Sequence, residues 1–219
     1  MSRYKVHRKP RPTFAFVVDG ETEIWYLQML KRNERSLNVN VKPEIPQKKS
    51  IGDQFKLVVD LSGREYVKIF WIVDLDTVIK ESREAKDGKK TPMQEFVEFR
   101  QIIDREYHNV SVIVNNPCLE FWFLLHFDHA NTYFTSCANV ESALKKCLAG
   151  YQKSRTYFTK QDNDIYLRLK PHLNTAMRKA VGIGEFDGDN KNKAISEMYR
   201  LFMTDEFKDA LTSVSTVKV

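Results

Sequence analysis

The sequence predicts an α/β fold: a mostly parallel sheet flanked by helices, followed by a helical C-terminal part. Two observations carry this reading. Ile69-Phe70-Trp71-Ile72-Val73 is a continuous apolar run bounded by polar residues, the pattern of a strand buried on both faces. Around it, apolar runs alternate with helix-spaced segments until about residue 130, and only helical patterns follow. A length of 219 residues, with 42% hydrophobic and 12% aromatic residues, suits one α/β domain with an appendage. The expected division is a basic, flexible arm at 1–12, a sheet domain carrying the chemistry at 13–130, and a helical part at 131–219 packed on it.

In chain order, Arg3, Lys5, Arg8, Lys9 and Arg11 open the sequence without an acid. Phe14–Val18 reads as the first strand. It ends in Asp19-Gly20-Glu21-Thr22-Glu23, where Gly20 permits a tight turn and Asp19 or Thr22 offers a cap for a helix over 24–31. A short strand is expected over 38–45 and a helix over 52–66. The central strand runs into Asp74-Leu75-Asp76-Thr77, and 80–90 reads as a charge-rich, solvated connection. Thr91-Pro92 opens the next helix, with proline at its first position. Val110–Val114 is a strand, and Asn116 and Pro117 read as the N-cap and first residue of an apolar helix with one acid, Glu120. Helices are expected over 139–149, 162–181 and 192–211.

A net charge of +6 and a pI near 9.1 favour polyanionic partners, nucleic acid above all. Arg8, Lys9, Arg11, Lys153 and Arg155 are the candidate phosphate contacts. Around the last two, Tyr151, Tyr157, Phe158 and Tyr166 interleave with cations, as on surfaces where bases stack. An amphipathic helical cap with half-buried tyrosines fits that pattern equally. Three cysteines without a CxxC or a regular spacing point to a reducing compartment. Nothing resembles a secretory signal, and no stretch approaches the roughly 20 apolar residues of a membrane span. A cytoplasmic location is expected.

The acids at strand ends are the chemical signal. Asp74 and Asp76 would share a side if the backbone stays extended, and ligands of open α/β sheets bind beyond the carboxyl ends of strands. Asp19, Glu23 and Glu120 stand at two further strand ends. Each has a plainer reading: solvated loop acid, first-turn dipole partner, or half of a buried ion pair. Together Asp19, Glu23, Asp74, Asp76 and Glu120 form an oxygen-only set, suited to Mg²⁺ or Mn²⁺ rather than zinc, with two ions expected. His126, on the apolar helix, reads as a core histidine.

The segments Val18-Asp19-Gly20-Glu21-Thr22-Glu23, Asp74-Leu75-Asp76 and Asn116-Pro117-Cys118-Leu119-Glu120-Phe121-Trp122-Phe123-Leu124-Leu125-His126 together resemble the RloB-like family. That family is a Toprim-related group of bacterial defence and abortive-infection loci. The resemblance implies a Toprim-like Rossmannoid sheet and a metal-dependent nuclease. It implies RNA such as tRNA as a substrate ahead of DNA, and a separately encoded ATPase as partner. The family pairs Glu with Gly where this chain has Asp19-Gly20, so the carboxylate reaches about one methylene less far. Two alternatives remain. One is a non-catalytic nucleic-acid-binding or regulatory subunit. The other is a haloacid dehalogenase-type phosphatase with Asp74 as nucleophile, Asp76 as acid/base and Asp187-Gly188-Asp189-Asn190 as a distal motif.

Overall fold

The computed structural model describes residues 13–18, 20–37, 39–44, 50–86, 88–127, 133–188 and 193–212. The basic arm, with Arg8, Lys9 and Arg11, and Asp19 lie outside the described residues. The order is β1 (Thr13–Val17), α1 (Glu21–Asn33), β2 (Asn40–Glu44), α2 (Ile51–Ser62), β3 (Lys68–Asp74), α3 (Leu75–Glu84), α4 (Pro92–Glu106), β4 (Val110–Asn116) and α5 (Leu119–Leu125). There follow α6 (Cys137–Cys147), α7 (Arg155–Phe158), α8 (Ile165–Leu169), α9 (Leu173–Ile183), β5 (Ile195–Ser196), α10 (Tyr199–Phe202) and α11 (Asp205–Thr212).

The sheet order is β2-β1-β3-β4-β5, parallel throughout except for β5 against β4. This is a Toprim-like Rossmannoid fold. Period-two alternation sends side chains to opposite faces. Phe14, Phe16, Phe70, Ile72 and Ile113 pack with α1, α5 and the C-terminal helices. Ala15, Val17, Ile69, Trp71, Val73, Val112 and Val114 pack with α2, α3 and α4. The chain leaves β1 for β2 on one side, then returns to β3 on the other. Crossovers of one hand running in opposite directions put their helices on opposite faces, which is why α1 and α2 are separated by the sheet. The reversal leaves a switch point between the carboxyl ends of β1 and β3.

Several boundaries differ from expectation. Helix α1 begins at Glu21, with Gly20 as an N-cap that makes no side-chain hydrogen bond, so Thr22 is not the cap. The charge-rich stretch at 80–90 is largely exposed, as expected, but its first five residues belong to α3, which follows β3 without a loop. Asp76 is therefore a first-turn helical residue, and strand alternation is not what aims it. Helix α5 starts at Leu119 with Cys118 as N-cap, after a cis Asn116–Pro117 peptide, so Asn116 is a strand residue and Pro117 precedes the helix. The 162–181 segment divides into α8 and α9 around a 3₁₀ turn at Lys170–His172.

The 192–211 helix is corrected most. Ile195 and Ser196 pair with Asn116 and Asn115 as a fifth strand. The buried Glu197 beside them accepts hydrogen bonds from the Val114 and Phe186 amides at 3.1 and 2.9 Å and pairs with Arg100 at 3.1 Å. These partners come from β4, α4 and the segment after α9, and no local pattern reports them. By contrast, the Thr91-Pro92 start of α4 is as expected. The Thr91 hydroxyl accepts from the Gln94 amide, and the Gln94 side chain accepts from the Thr91 amide, a reciprocal capping box.

Candidate metal-binding active site

A cleft of about 480 Å³ opens at the carboxyl edge of the sheet, at the switch point between β1 and β3. Glu23, Asp74, Asp76, Thr77, Cys118 and Lys153 are among the residues that line it. Glu120 lies behind this lining and reaches it through Lys153.

Each acid is placed by a different element. Asp74 is the last residue of β3 and only 9% exposed. One oxygen accepts from the Asn115 side-chain amide and the other from the Leu119 backbone amide, both at 3.1 Å. The neighbouring strand and the start of α5 therefore hold its carboxylate in one orientation. Asp76 accepts from the Thr77 amide at 2.7 Å, and its own amide donates to the Pro117 carbonyl at 3.1 Å. Burial pushes its carboxyl above the usual range, against the pull of Thr77 and of the Lys153 charge. Glu23, 4% exposed, sits in the first turn of α1. A Cβ on Gly20 would fall 2.6 Å from Glu23 Oε2, so the absence of a side chain at 20 is what lets this carboxylate lie over the turn.

Glu120 is fully buried. Oε1 accepts from the Tyr151 hydroxyl at 3.1 Å and pairs with the Lys153 ammonium at 3.0 Å. Oε2 lies 3.4 Å from the Cys137 sulfur. Glu120 is thus one half of a buried ion pair in this structure. Burial works against the Lys153 ammonium, but Glu120 and the further charges of Glu23 and Asp74 outweigh it, and its pKa rises. Four carboxylates from three chain segments face one ammonium.

Cys118 and Cys137 are joined by a disulfide, with Cα atoms 5.7 Å apart, and Cys147 is the free cysteine. The cysteine count and spacing alone offer no framework for this pair. A separation of 19 residues carries no spacing signal, and it is the packing of α6 on α5 that brings the two together. Cys118, Glu120 and Cys137 place potential ligand atoms within 4.8 Å of one another. As a disulfide, the two sulfurs are not thiolates, and only Glu120 remains a donor. Reduced, the trio would be a soft set favouring zinc, unlike the carboxylate set across the cleft.

Glu23, Asp74 and Asp76 do fit a hard divalent cation. Their donors are all oxygen, Glu23 and Asp74 are buried and Asp76 is half-buried, and among the described residues the one positive group lining the cleft with them is a lysine on a flexible stem. Asn115, Tyr151 and the cysteine pair are the neighbours that sequence reasoning missed. Asn115, one residue before the Asn-Pro step, was the nearest thing to a signal. Of the predicted phosphate contacts, Lys153 is inside the acidic cleft, whereas Arg155 lines a separate groove. Tyr151, Phe158 and Tyr166 are buried, so they are core residues rather than stacking platforms. His126 is buried and its Nδ1–H donates to the Trp122 carbonyl at 3.0 Å, a core histidine as expected. Asp187, the first residue of the phosphatase's distal motif, lines a small separate cavity with Glu185 and Lys193, and Asp189 and Asn190 lie outside the described residues.

Fold and cleft together define a Toprim-like protein with a carboxylate-lined site at its sheet edge. The chain belongs to the RloB-like protein family, which it matches over residues 14–204. No match was found among curated proteins or among solved structures. Among the described residues, no helix is long and apolar enough to cross a membrane.

Proposed function

We propose that the protein is a metal-dependent phosphodiester hydrolase, a Toprim nuclease acting on nucleic acid. The observation that carries this reading is the convergence of Glu23, Asp74 and Asp76, from the segments that follow β1 and end β3, on one cleft. Asp19, next to Gly20 in sequence, and Glu120 are the remaining candidate ligands. These acids would hold Mg²⁺ or Mn²⁺, two ions in the full site. Such ions supply a nucleophilic water at neutral pH and stabilise charge on the attacking and leaving oxygens of a phosphodiester.

The chain's own groups do the positioning. Asn115 and the Leu119 amide keep Asp74 from rotating, so its position is set before any ligand arrives. Glu120 and Tyr151 hold Lys153 at the cleft, where its ammonium can pair with a non-bridging phosphate oxygen. The strong field of the four carboxylates keeps that lysine protonated throughout the neutral range.

RNA such as tRNA is the proposed substrate, anti-phage defence the proposed setting, and the cytoplasm the proposed location. A separately encoded ATPase is the proposed partner. In a reducing cytoplasm Cys118 and Cys137 would stand as two thiols. The test is Mn²⁺ binding by calorimetry together with Mn²⁺-dependent cleavage of RNA and DNA. Binding and cleavage that are both lost in Asp74→Ala are expected. A parent protein that binds no Mn²⁺ would overturn the reading. Metal-independent nucleic-acid affinity that is unchanged in Asp74→Ala, with no cleavage, would favour the binding subunit instead.

A further inference from the structure

Beside the acidic cleft lies a larger groove, of about 740 Å³, lined by groups of the opposite sign. Arg155, Lys160 and Arg168 face it with Gln152, Ser154 and Tyr157, and its lining contains no acid. Arg168 is fixed in place. Its guanidinium donates to the Tyr157 hydroxyl at 2.6 Å and to Asn163 Oδ1 at 3.0 Å, and lies 4.5 Å from the centre of the Tyr157 ring. Among the described residues, the side chains of Arg155 and Lys160 have no hydrogen-bond or ion-pair partner. Of the nine cations that the sequence clusters between 145 and 179, these are the ones the fold gathers around one groove. Others are spent internally, such as Lys170 on the buried Glu34 and Lys179 on the Phe127 carbonyl.

The groove and the cleft share one stretch of chain. Lys153 turns into the acids, while Gln152 and Ser154 on either side of it face the groove. The cleft's own carboxylates repel phosphate, so a polyanion reaching them must draw its affinity from cations next door. The groove is on the scale of a small-ligand site, roughly 300–1,000 Å³, which fits a few nucleotides of one strand rather than a duplex. We propose that Arg155, Lys160 and Arg168 form a track for the phosphodiester backbone of a single-stranded nucleic acid, which runs on into the acidic cleft. This rests on the nuclease reading of that cleft.

The test is fluorescence anisotropy of labelled single-stranded RNA, single-stranded DNA and a duplex, in chelator and across a salt series. In Arg155→Ala/Lys160→Ala, affinity for the single strand should fall about tenfold or more, and the salt slope should shrink by about 1.4, at about 0.7 per lost phosphate contact. The charge-conserving Arg155→Lys/Lys160→Arg should keep most of the affinity. Lys145→Ala/Lys146→Ala, an equal charge loss on α6 outside the groove, should have a much smaller effect. Three results would overturn the track: no binding of either single strand by the parent, an unchanged slope in the double alanine variant, or an equal effect from the α6 pair. Tighter duplex binding would overturn the single-strand assignment. Because chelator removes catalysis, a protein that binds through the groove but never cleaves with Mn²⁺ would sink the nuclease reading and not this one.

Discussion

At the scale of single residues, Gly20 and His126 make opposite demands on their surroundings. Gly20 matters for what it leaves empty. Gly20→Ala would place a Cβ 2.6 Å from Glu23 Oε2, and the flexible end of Glu23 would move rather than the backbone. Metal affinity is expected to fall about 10-fold, with calorimetry as the measure, while the melting temperature stays within about 2 °C. Unchanged affinity would remove Glu23 from the ligand set. His126 matters for its protonation state. Burial, with the charges of His172 and Lys179 in support, lowers its pKa to about 4. The fold therefore favours neutral imidazole, and the unfolded chain takes up the proton first as pH falls below about 6.5. The stability this group provides is fully present above that pH and is lost progressively down to about 4, a total of about 3 kcal/mol. In urea unfolding at pH 7.5 and 5.0, His126→Phe should lose about 2 kcal/mol less than the parent over that interval. Parallel losses would mean that His126 titrates normally in the fold.

At the scale of elements, the connections that matter run between α1 and the helices after residue 150. The buried Asp164 caps α8 by accepting from the Leu167 amide at 3.0 Å. Its other oxygen accepts from Arg32 at 2.6 Å and from Asn33 at 2.9 Å, both on α1. One carboxylate thus starts one helix and clamps another. Asp164→Ala removes a cap and leaves two donors short of a partner, a loss of about 2 kcal/mol. In a domain of this size that lowers the melting temperature by about 4–8 °C. Asp164→Asn, which keeps the cap and loses the charge, should fall between. An alanine variant that melts with the parent would show that the clamp adds nothing to stability. Lys153 is set by the same kind of connection, since the buried Glu120 and Tyr151 hold it where α5 meets the segment before α7.

At the scale of the molecule, the C-terminal helices complete the core on one face of the sheet. Phe123 of α5 packs on Tyr26 and Phe158, and Trp122 stacks on Phe202 at 5.7 Å. Strand β5 covers the carboxyl end of β4's outer edge, at Asn115 and Asn116, that would otherwise present unpaired backbone. A chain ending at Gly150 would expose the apolar faces of α1 and α5, and it is expected to be insoluble or to bind ANS without a cooperative melt. A truncated chain that melts cooperatively would show that the first 150 residues fold alone. Charge is partitioned at this scale too. A chain of net charge +6 gathers four carboxylates at one cleft and Arg155, Lys160 and Arg168 in the groove beside it.

The sequence by itself determined the elements whose cause is local. The apolar run of β3, the Thr91-Pro92 start of α4 and the strand-end positions of Glu23, Asp74 and Glu120 all follow from patterns within a few residues. Tertiary structure alone decided how those acids are used. Asp76 faces the cleft from a helix rather than from an extended strand, and Glu120 is engaged by Tyr151 and Lys153 from about 30 residues away. The Cys118–Cys137 bond and β5 are non-local in the same sense, since each is a pairing of segments that only the packed core brings together. Periodicity and capping report which backbone a residue prefers. They do not report which distant charge will share its cavity, and in this cleft that charge is Lys153.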